Sequence, residues 1–362
     1  MTDELNRVLN LAEFQALAEA RMDRPAFDYI AGGAGDEITL ADNIAAWRRW
    51  RLRPRVLVDV TSIDTSTTWL GQRVAFPVGI APMAFQHFAH ADAEMATANA
   101  AAAAGVVMCL STLSSLTIED VAAASGPRWF QLYVHRDRGV SAELVRRAEA
   151  AGYSALVVTV DLPIAGRRER DFRNAFRYPQ HFGNFDPHLA AVGSTEEGVP
   201  LGAVIGGFNE ASLSWPDVDW LRSLSGLPLV LKGILTGEDA ARAVERGAAA
   251  VVVSNHGGRQ LDRTPATIDV LPEIVEAAGG RAEIYLDGGV RRGVDVLTAL
   301  AVGAKGVFVG RPFFFSLAAG GQEGVARALE LIGAEVRNDM ALLGATSVAQ
   351  IDRSYVLAPS GR

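Results

Sequence analysis

From Val78 onward the chain alternates short apolar runs with stretches of helical spacing, and this rhythm limits the fold more than any other feature. The runs are Val78-Gly-Ile-Ala81, Val106-Val-Met-Cys-Leu110, Trp129-Phe-Gln-Leu-Tyr-Val134, Ala155-Leu-Val-Val-Thr-Val160, Leu229-Val-Leu231, Ala250-Val-Val-Val253, Glu283-Ile-Tyr-Leu286 and Gly306-Val-Phe-Val309. Between them, apolar residues recur with helical period over 92–104, 117–125, 141–151, 237–246, 268–278 and 293–302. Runs too apolar to face water, in strict alternation with helices, predict a parallel sheet covered by helices. Eight of them predict closure into a (β/α)8 TIM barrel. At 362 residues and 49% hydrophobic, the chain has ample core for one large domain.

The flanks are less regular. Residues 4–22 and 25–50 carry helical spacing, broken at Ala31-Gly-Gly-Ala-Gly35, and 56–76 turns to short alternating runs around Trp69-Leu-Gly-Gln72. This predicts N-terminal helices and a small antiparallel cap over 1–76, a barrel over 77–345 with closing helices at 322–345, and a loose tail from Ser354. One gap interrupts the rhythm. The residues between Asp161 and Trp215-Pro-Asp217, including Arg177-Tyr-Pro-Gln-His-Phe-Gly-Asn-Phe185, read as a lid over about 166–214 rather than a mere surface loop, because they leave a strand's carboxyl end.

Several classes are excluded. A net charge of −8 and a pI near 5.4 argue against nucleic acid or an anionic membrane as partner. The basic run Trp47-Arg-Arg-Trp-Arg-Leu-Arg-Pro-Arg55 is short and apolar enough to be a helix end leading into a strand. The single Cys109 lies in an apolar run and reads as inert core, without disulfide or cysteine-rich metal site. The amino terminus lacks a signal pattern and no stretch is apolar enough to span a bilayer, which predicts a soluble cytoplasmic protein. No dinucleotide fingerprint or Walker loop occurs, and the glycines at 32–35 do not follow a strand. His87 and His90 read as capping or core residues, and His135, His181 and His188 show no metal spacing.

Barrel chemistry sits at the carboxyl ends of the strands. Those ends offer Pro82-Met-Ala84, Ser111, Gln131 with Tyr133, Thr159 with Asp161 and Arg167-Arg168, Lys232, Ser254 with His256 and Arg259, Asp287-Gly-Gly289 with Arg291, and Gly310-Arg311. His256 can take a proton near neutral pH, and Arg259 offers a planar fork suited to a carboxylate, which points to chemistry beside a carboxylate. Arg168 and Arg259 could clamp that group together, while Arg167 reads as a surface or structural residue. Asp161 is expected to pair with His256, and Lys232 with a buried negative group. The last two loops, glycine-rich with Arg291 and Arg311, predict a phosphate site, and the missing dinucleotide motif favours a mononucleotide.

These motifs carry a resemblance. Ser254-Asn-His-Gly-Gly-Arg-Gln-Leu-Asp262 and Leu286-Asp-Gly-Gly-Val-Arg-Arg-Gly293, supported by Phe27-Asp-Tyr29, Phe130-Gln-Leu-Tyr133, Thr159-Val-Asp161, Gly166-Arg-Arg168, Val230-Leu-Lys-Gly233 and Val309-Gly-Arg-Pro312, resemble the FMN-dependent L-2-hydroxy acid oxidases and dehydrogenases over about residues 10–350. The resemblance implies oxidation of an (S)-2-hydroxy acid to the 2-oxo acid with FMN as cofactor and O2 as acceptor, in a homo-oligomer of four or eight subunits. It implies His256 as base with Asp161 as its partner, Tyr29, Arg168 and Arg259 at the carboxylate, and Tyr133 at the hydroxyl. Pro82, Met83, Ala84, Ser111, Gln131, Thr159, Lys232 and Ser254 would line the flavin, and Asp287, Gly288, Gly289, Arg291, Gly310 and Arg311 its ribityl and phosphate end. Leu113 and Ala165 stand where glycolate oxidase has bulkier pocket residues, which favours L-lactate or another short- to medium-chain acid, with an aromatic, mandelate-type acid as the alternative. His90-Ala-Asp-Ala-Glu94 departs from the family pattern and reads as a helix-start variation without catalytic meaning.

Overall fold

The computed structural model describes residues 3–178, 182–185, 199–200 and 210–359. Eight parallel strands, β1 (Val78–Ile80), β2 (Met108–Ser111), β3 (Arg128–Leu132), β4 (Leu156–Thr159), β5 (Leu229–Ile234), β6 (Ala250–Val253), β7 (Glu283–Leu286) and β8 (Gly306–Val309), close into a barrel in chain order. The last four coincide with the apolar runs at their start, and the first four shift or shorten by one to two residues at their ends. Val106 and Val107 are buried ahead of β2, and Val107 O already accepts from Ile80 N–H at 2.8 Å, so the apolar run begins before the strand does.

Ten helices matter below. They are α1 (Arg24–Ala31), α2 (Ile38–Ala45), α3 (Ala93–Ala104), α4 (Ile118–Ala122), α5 (Arg138–Ala150), α6 (Trp215–Ser223), α7 (Gly237–Glu245), α8 (Thr267–Ala278), α9 (Gly293–Val302) and α10 (Arg311–Leu343). Gly105 ends α3 in the left-handed region and its N–H returns to Ala101 and Ala102, as an alanine-rich helix closed by glycine requires.

The bottom of the barrel is plugged by the antiparallel pair Thr67–Trp69 and Gln72–Val74, the cap expected over 56–76. Trp69 is fully buried there, with ring centroids 4.7 Å from Tyr285 and 5.2 Å from Phe308. Gly306 makes room for it: a Cβ at that position would lie 2.1 Å from the indole. The opposite mouth is therefore where the molecule can admit a ligand.

Three expectations need correction. The stretch 4–22 is not one helix but Asp3–Arg7, a short turn at Leu11–Glu13 and Phe14–Arg21, because the Asn10 side chain caps Ala12 N–H at 3.0 Å and restarts the chain. The closing helix expected over 322–345 is there, ending at Leu343, but another precedes it from Arg311 with Pro312 at its start, the two broken at the non-helical Gly320–Gly321. The tail is not loose as far as it is described: Val356–Leu357 pairs antiparallel with Arg51–Leu52, and Arg53 N–H donates to Tyr355 O at 2.8 Å. Backbone pairing there depends on a partner 300 residues away, which local polarity does not disclose. The basic run behaves as expected, Arg49 pairing with Asp42 at 3.0 Å and with Asp269.

Much of the expected lid, 179–181, 186–198 and 201–209, lies outside the described residues, as do His181 and His188. Among the described residues no helix is long and apolar enough to cross a membrane, and no cluster of His, Cys, Asp and Glu could hold a metal ion. His90 Nδ1 accepts from Asp92 N–H at 3.2 Å, a capping contact. Cys109 is buried, which pushes its thiol far above the usual range.

Candidate active site

The loop after β6 bolts three parts of the molecule together. Asn255 exchanges two side-chain hydrogen bonds with Asn43 on α2, both 2.8 Å. Gly258, at φ +74°, accepts at its carbonyl from Ala34 N–H at 2.8 Å, and a Cβ there would fall 2.6 Å from Leu40 N. Asp262 accepts from Asp36 N–H at 3.0 Å and Thr39 N–H at 2.8 Å, so its charge sits at the N-terminus of α2. Gln260 reaches the other way, donating to Asp161 O at 2.8 Å and Ile164 O at 3.0 Å while accepting from Gly166 N–H at 3.1 Å. The length of the motif thus reflects mechanical linkage of α1, α2 and the loop after β4.

His256 sits within this clamp at φ 57°, a left-handed backbone that strains a non-glycine residue by roughly 1–3 kcal/mol. From this backbone its ring meets Asp161, with Nδ1 2.9 Å from Oδ1. Burial raises the carboxyl pKa of Asp161, but His256 and Lys232 outweigh it and hold the group below the usual range, ionised. An ionised Asp161 fixes the neutral imidazole with its proton on Nδ1, leaving the Nε2 lone pair free for proton transfer. Burial pushes the His256 pKa below the ordinary histidine value, against the opposing pull of Asp161. Nε2 lies 3.4 Å from the Tyr133 hydroxyl.

Two arginines lie over the ring of Tyr29, on which Phe176 also stacks with centroids 4.4 Å apart. Arg259 Cζ lies 4.8 Å and Arg168 Cζ 5.4 Å from the Tyr29 centroid. Arg259 also donates to the carbonyls of Tyr29 and, at 3.3 Å, Gly32, at the negative end of α1, which is why a helix before the barrel belongs to the site. Arg168 is buried and 3.5 Å from Asp171. Burial and the neighbouring Arg168 hold the Arg259 pKa down, a repulsion that an incoming carboxylate between them would relieve.

At the far side, Lys232 Nζ is 2.9 Å from Ser254 Oγ and 3.2 Å from Asp287 Oδ2, the buried negative partner expected for it. Ser254 Oγ completes the set at 2.8 Å from Asp287 Oδ1. Gln131 accepts at Oε1 from Ser111 Oγ and Thr112 N–H, and its Nε2 is buried without a partner. Burial pushes the Arg291 guanidinium down to about 10, and no carboxylate lies within ion-pair distance of it among the described residues.

These groups surround one cavity of about 1250 Å3 counting its open mouth. The residues expected at the site line it except Asp161, Gln131 and Ser254, which stand behind the wall, and Ala165. Ala165 is half-buried and outside the lining; Leu162, next to Asp161, takes the wall position instead, because Gln260 draws the loop's Ile164 and Gly166 backbone toward itself. Leu113 does line the cavity.

Arg311 also departs from expectation. Its Nε, Nη1 and Nη2 each lie 2.9 Å from a backbone carbonyl, those of Ile30, Gly257 and Gly32. Two of these carbonyls, Ile30 and Gly32, are left unpaired at the end of α1, while Arg291 Nη1 lies 2.9 Å from the single carbonyl of Val290.

Sequence reasoning missed Tyr178, Gln260, Asn43 and Leu162. Tyr178 lines the cavity, its ring 5.7 Å from Tyr29 in an edge-on contact, but it lies in the irregular stretch where no periodicity marks it. Glu94 is buried as well, accepting from Gln86 N–H at 3.1 Å and Ser115 N–H at 2.9 Å, and so ties together the loops after β1 and β2.

Among the described lining residues, five cations (Arg168, Lys232, Arg259, Arg291, Arg311) face one carboxylate, Asp287. A barrel with a proton acceptor between two cationic ends defines an enzyme that holds two anionic groups, one at each end of its cavity. The chain belongs to the FMN-dependent dehydrogenase family, whose model matches residues 18–358. It is 50% identical to the L-lactate oxidase of Nostoc sp. over 96% of this chain and 98% of that one. It is 48% identical to the glycolate oxidase of Spinacia oleracea, with 98% of each covered. A solved mandelate oxidase with (S)-4-hydroxymandelic acid superposes with a TM-score of 0.89 at 45% identity, covering 94% of this chain and 97% of that one.

The residues present fit FMN. The unpartnered Gln131 Nε2 can donate to a ring carbonyl, Lys232 supplies a buried positive charge, and Arg291 with the N–H groups at the start of α10 suits the phosphate. Arg291→Ala should weaken FMN binding by roughly 10- to 100-fold, the loss of a hydrogen bond to a charged group. Flavin fluorescence titration of the apoprotein checks this, and an unchanged affinity would place the phosphate elsewhere.

Proposed function

We propose that the chain oxidises an (S)-2-hydroxy acid, L-lactate or a similar short- to medium-chain acid, to the 2-oxo acid, with O2 reduced to H2O2. The observation that carries this reading is the His256–Asp161 pair, 2.9 Å apart, set beside two arginines that share the face of Tyr29. Bound FMN supplies the two-electron acceptor.

The chain's own residues do the rest. Arg168 and Arg259 bind the substrate carboxylate and fix its orientation, and Tyr133 hydrogen-bonds the hydroxyl. Nε2 of His256 accepts the proton, whether it leaves the α-carbon or the hydroxyl, and Asp161 stabilises the imidazolium that forms. In net terms the acid loses two electrons and two protons, and both reappear in H2O2.

Leu113 and Leu162 line the cavity, and in this reading they stand beside the substrate's side chain. A homo-oligomer of four or eight subunits is part of the same reading, supported by the contiguous exposed apolar run Val56-Leu57-Val58. Light scattering at micromolar concentration tests it, and a monomer would sink it.

The reaction is tested by anaerobic bleaching of the yellow protein with glycolate, L-lactate, longer 2-hydroxy acids and mandelate, followed by air. L-lactate or a longer aliphatic acid should bleach fastest and colour should return quickly in air. Fastest bleaching by mandelate would support the aromatic alternative, and slow recolouring would point to another acceptor. Leu113→Trp should shift preference toward glycolate by about 10-fold or more, since extra volume in a packed wall costs roughly 1–3 kcal/mol against the bulkier substrate.

A further inference from the structure

A second cavity lies against the first, and nothing in the reaction above uses it. Successive residues at three strand ends explain its position. Val134 after β3, Val160 after β4 and Gly233 in β5 line a separate space under α6, while Lys232 lines the active site, and Tyr133 after β3 and Thr159 at the end of β4 reach both. That space is walled by Val160, Leu213, Val218, Leu221 and Leu231. Counting its open mouth it has about 1040 Å3, against about 1250 Å3 in the active-site cavity. Tyr133, Thr159 and Leu162 line both, so the partition is one layer of side chains thick.

The two cavities differ in charge. The active-site lining carries five cations and one carboxylate among the described residues. The second lining carries two carboxylates, Glu210 and Asp239, and no cation among the described residues. Cations stand outside the wall: Arg136 and Arg138 act on Glu210, Arg138 being already paired with Asp217, and Arg242 lies 3.6 Å from Asp239. An anionic hydroxy acid would meet like charge and then an apolar throat, where an unpaired carboxylate is strongly disfavoured. A small uncharged molecule meets no like charge on the way in, and the aliphatic side chains of Val160, Val218, Leu221 and Leu231 give it an apolar wall to rest against.

We propose that this second cavity is the route by which dioxygen reaches the active site, separate from the arginine-lined mouth used by the acid. The inference rests on the oxidase reading above. Leu162 and the edge of Tyr133 form the partition that dioxygen passes, and their motion sets the rate of passage.

Crystals of the holoenzyme pressurised with xenon should show xenon between Val218, Leu221 and Leu231. Val218→Phe, which fills that space, should remove it. In stopped flow, the same variant should bleach anaerobically with L-lactate within about twofold of the native rate, yet recolour with O2 about tenfold more slowly, as when a diffusive path is closed. Should Val218→Phe fail to fold, Leu213→Phe, at a half-buried position, closes the cavity from its other side. Absence of xenon from the cavity, or a filled variant that recolours at the native rate, overturns the route while leaving the oxidase reading intact. A native protein that bleaches with acid but does not recolour in O2 overturns the oxidase reading itself.

Discussion

His256→Asn is expected to lower substrate-dependent bleaching by at least about 10^3-fold while leaving FMN bound, within the range that a positioned proton-transfer group supplies. Asparagine keeps a polar side chain of similar reach but cannot take the proton. The 2.9 Å contact to Asp161 and the left-handed backbone at this residue hold one ring nitrogen in place, and the loss removes that nitrogen's lone pair rather than the site's shape. Retention of the visible spectrum with loss of bleaching is the expected pair of readings. Bleaching within tenfold of native would show that another group is the base.

The same pair sets the acid limb of the pH profile. The base works unprotonated, so kcat/KM is full above the His256 pKa and falls as pH drops through it. Burial places that pKa below the ordinary histidine value, so the limb lies on the acid side of about 6.5. Asp161 opposes the depression, so Asp161→Asn should move the limb to still lower pH and lower the plateau. A limb that stays in place would detach Asp161 from the base.

Arg259→Met is expected to reduce kcat/KM by roughly 30- to 4000-fold, because removing one partner of a desolvated charge pair costs about 2–5 kcal/mol. Most of the loss should appear in KM for a carboxylate-bearing acid, with FMN affinity unchanged. Arg259→Lys keeps the charge but loses the planar fork and its bonds to the α1 carbonyls, and should recover only part of the loss. Equal turnover of the acid and its amide by the native protein would overturn the carboxylate role. A variant that loses FMN as well would show that Arg259 holds the site together instead, a plausible rival because it anchors the end of α1.

How far residues were legible follows from the range of the forces that place them. The barrel could be read because burial on both faces imposes continuous apolar runs, a local signal repeated at every strand. Lys232, His256 and Arg259 could be read because polar groups at the ends of buried strands need partners. Gln260 and Leu162 could not: the one acts through backbone atoms some 95 residues distant in sequence, and the other gains its place from the path that contact imposes on the loop. Tyr178 was hidden in a stretch without period, and the carbonyl contacts of Arg311 exist only because α1 ends beside the barrel mouth.

The sequence by itself determined the class of fold, the anionic character of what the cavity holds and the identity of the groups able to move a proton, since each follows from residue type, period and distance from a strand end. The tertiary structure alone decided that Asp161 meets His256, that two arginines lie over the ring of Tyr29, that three backbone carbonyls hold the Arg311 side chain, and that a second cavity with two carboxylates in its lining adjoins the first. Those outcomes depend on where closure of the barrel brings distant loops, and charge, hydrogen bonding and packing act across space without regard to separation along the chain.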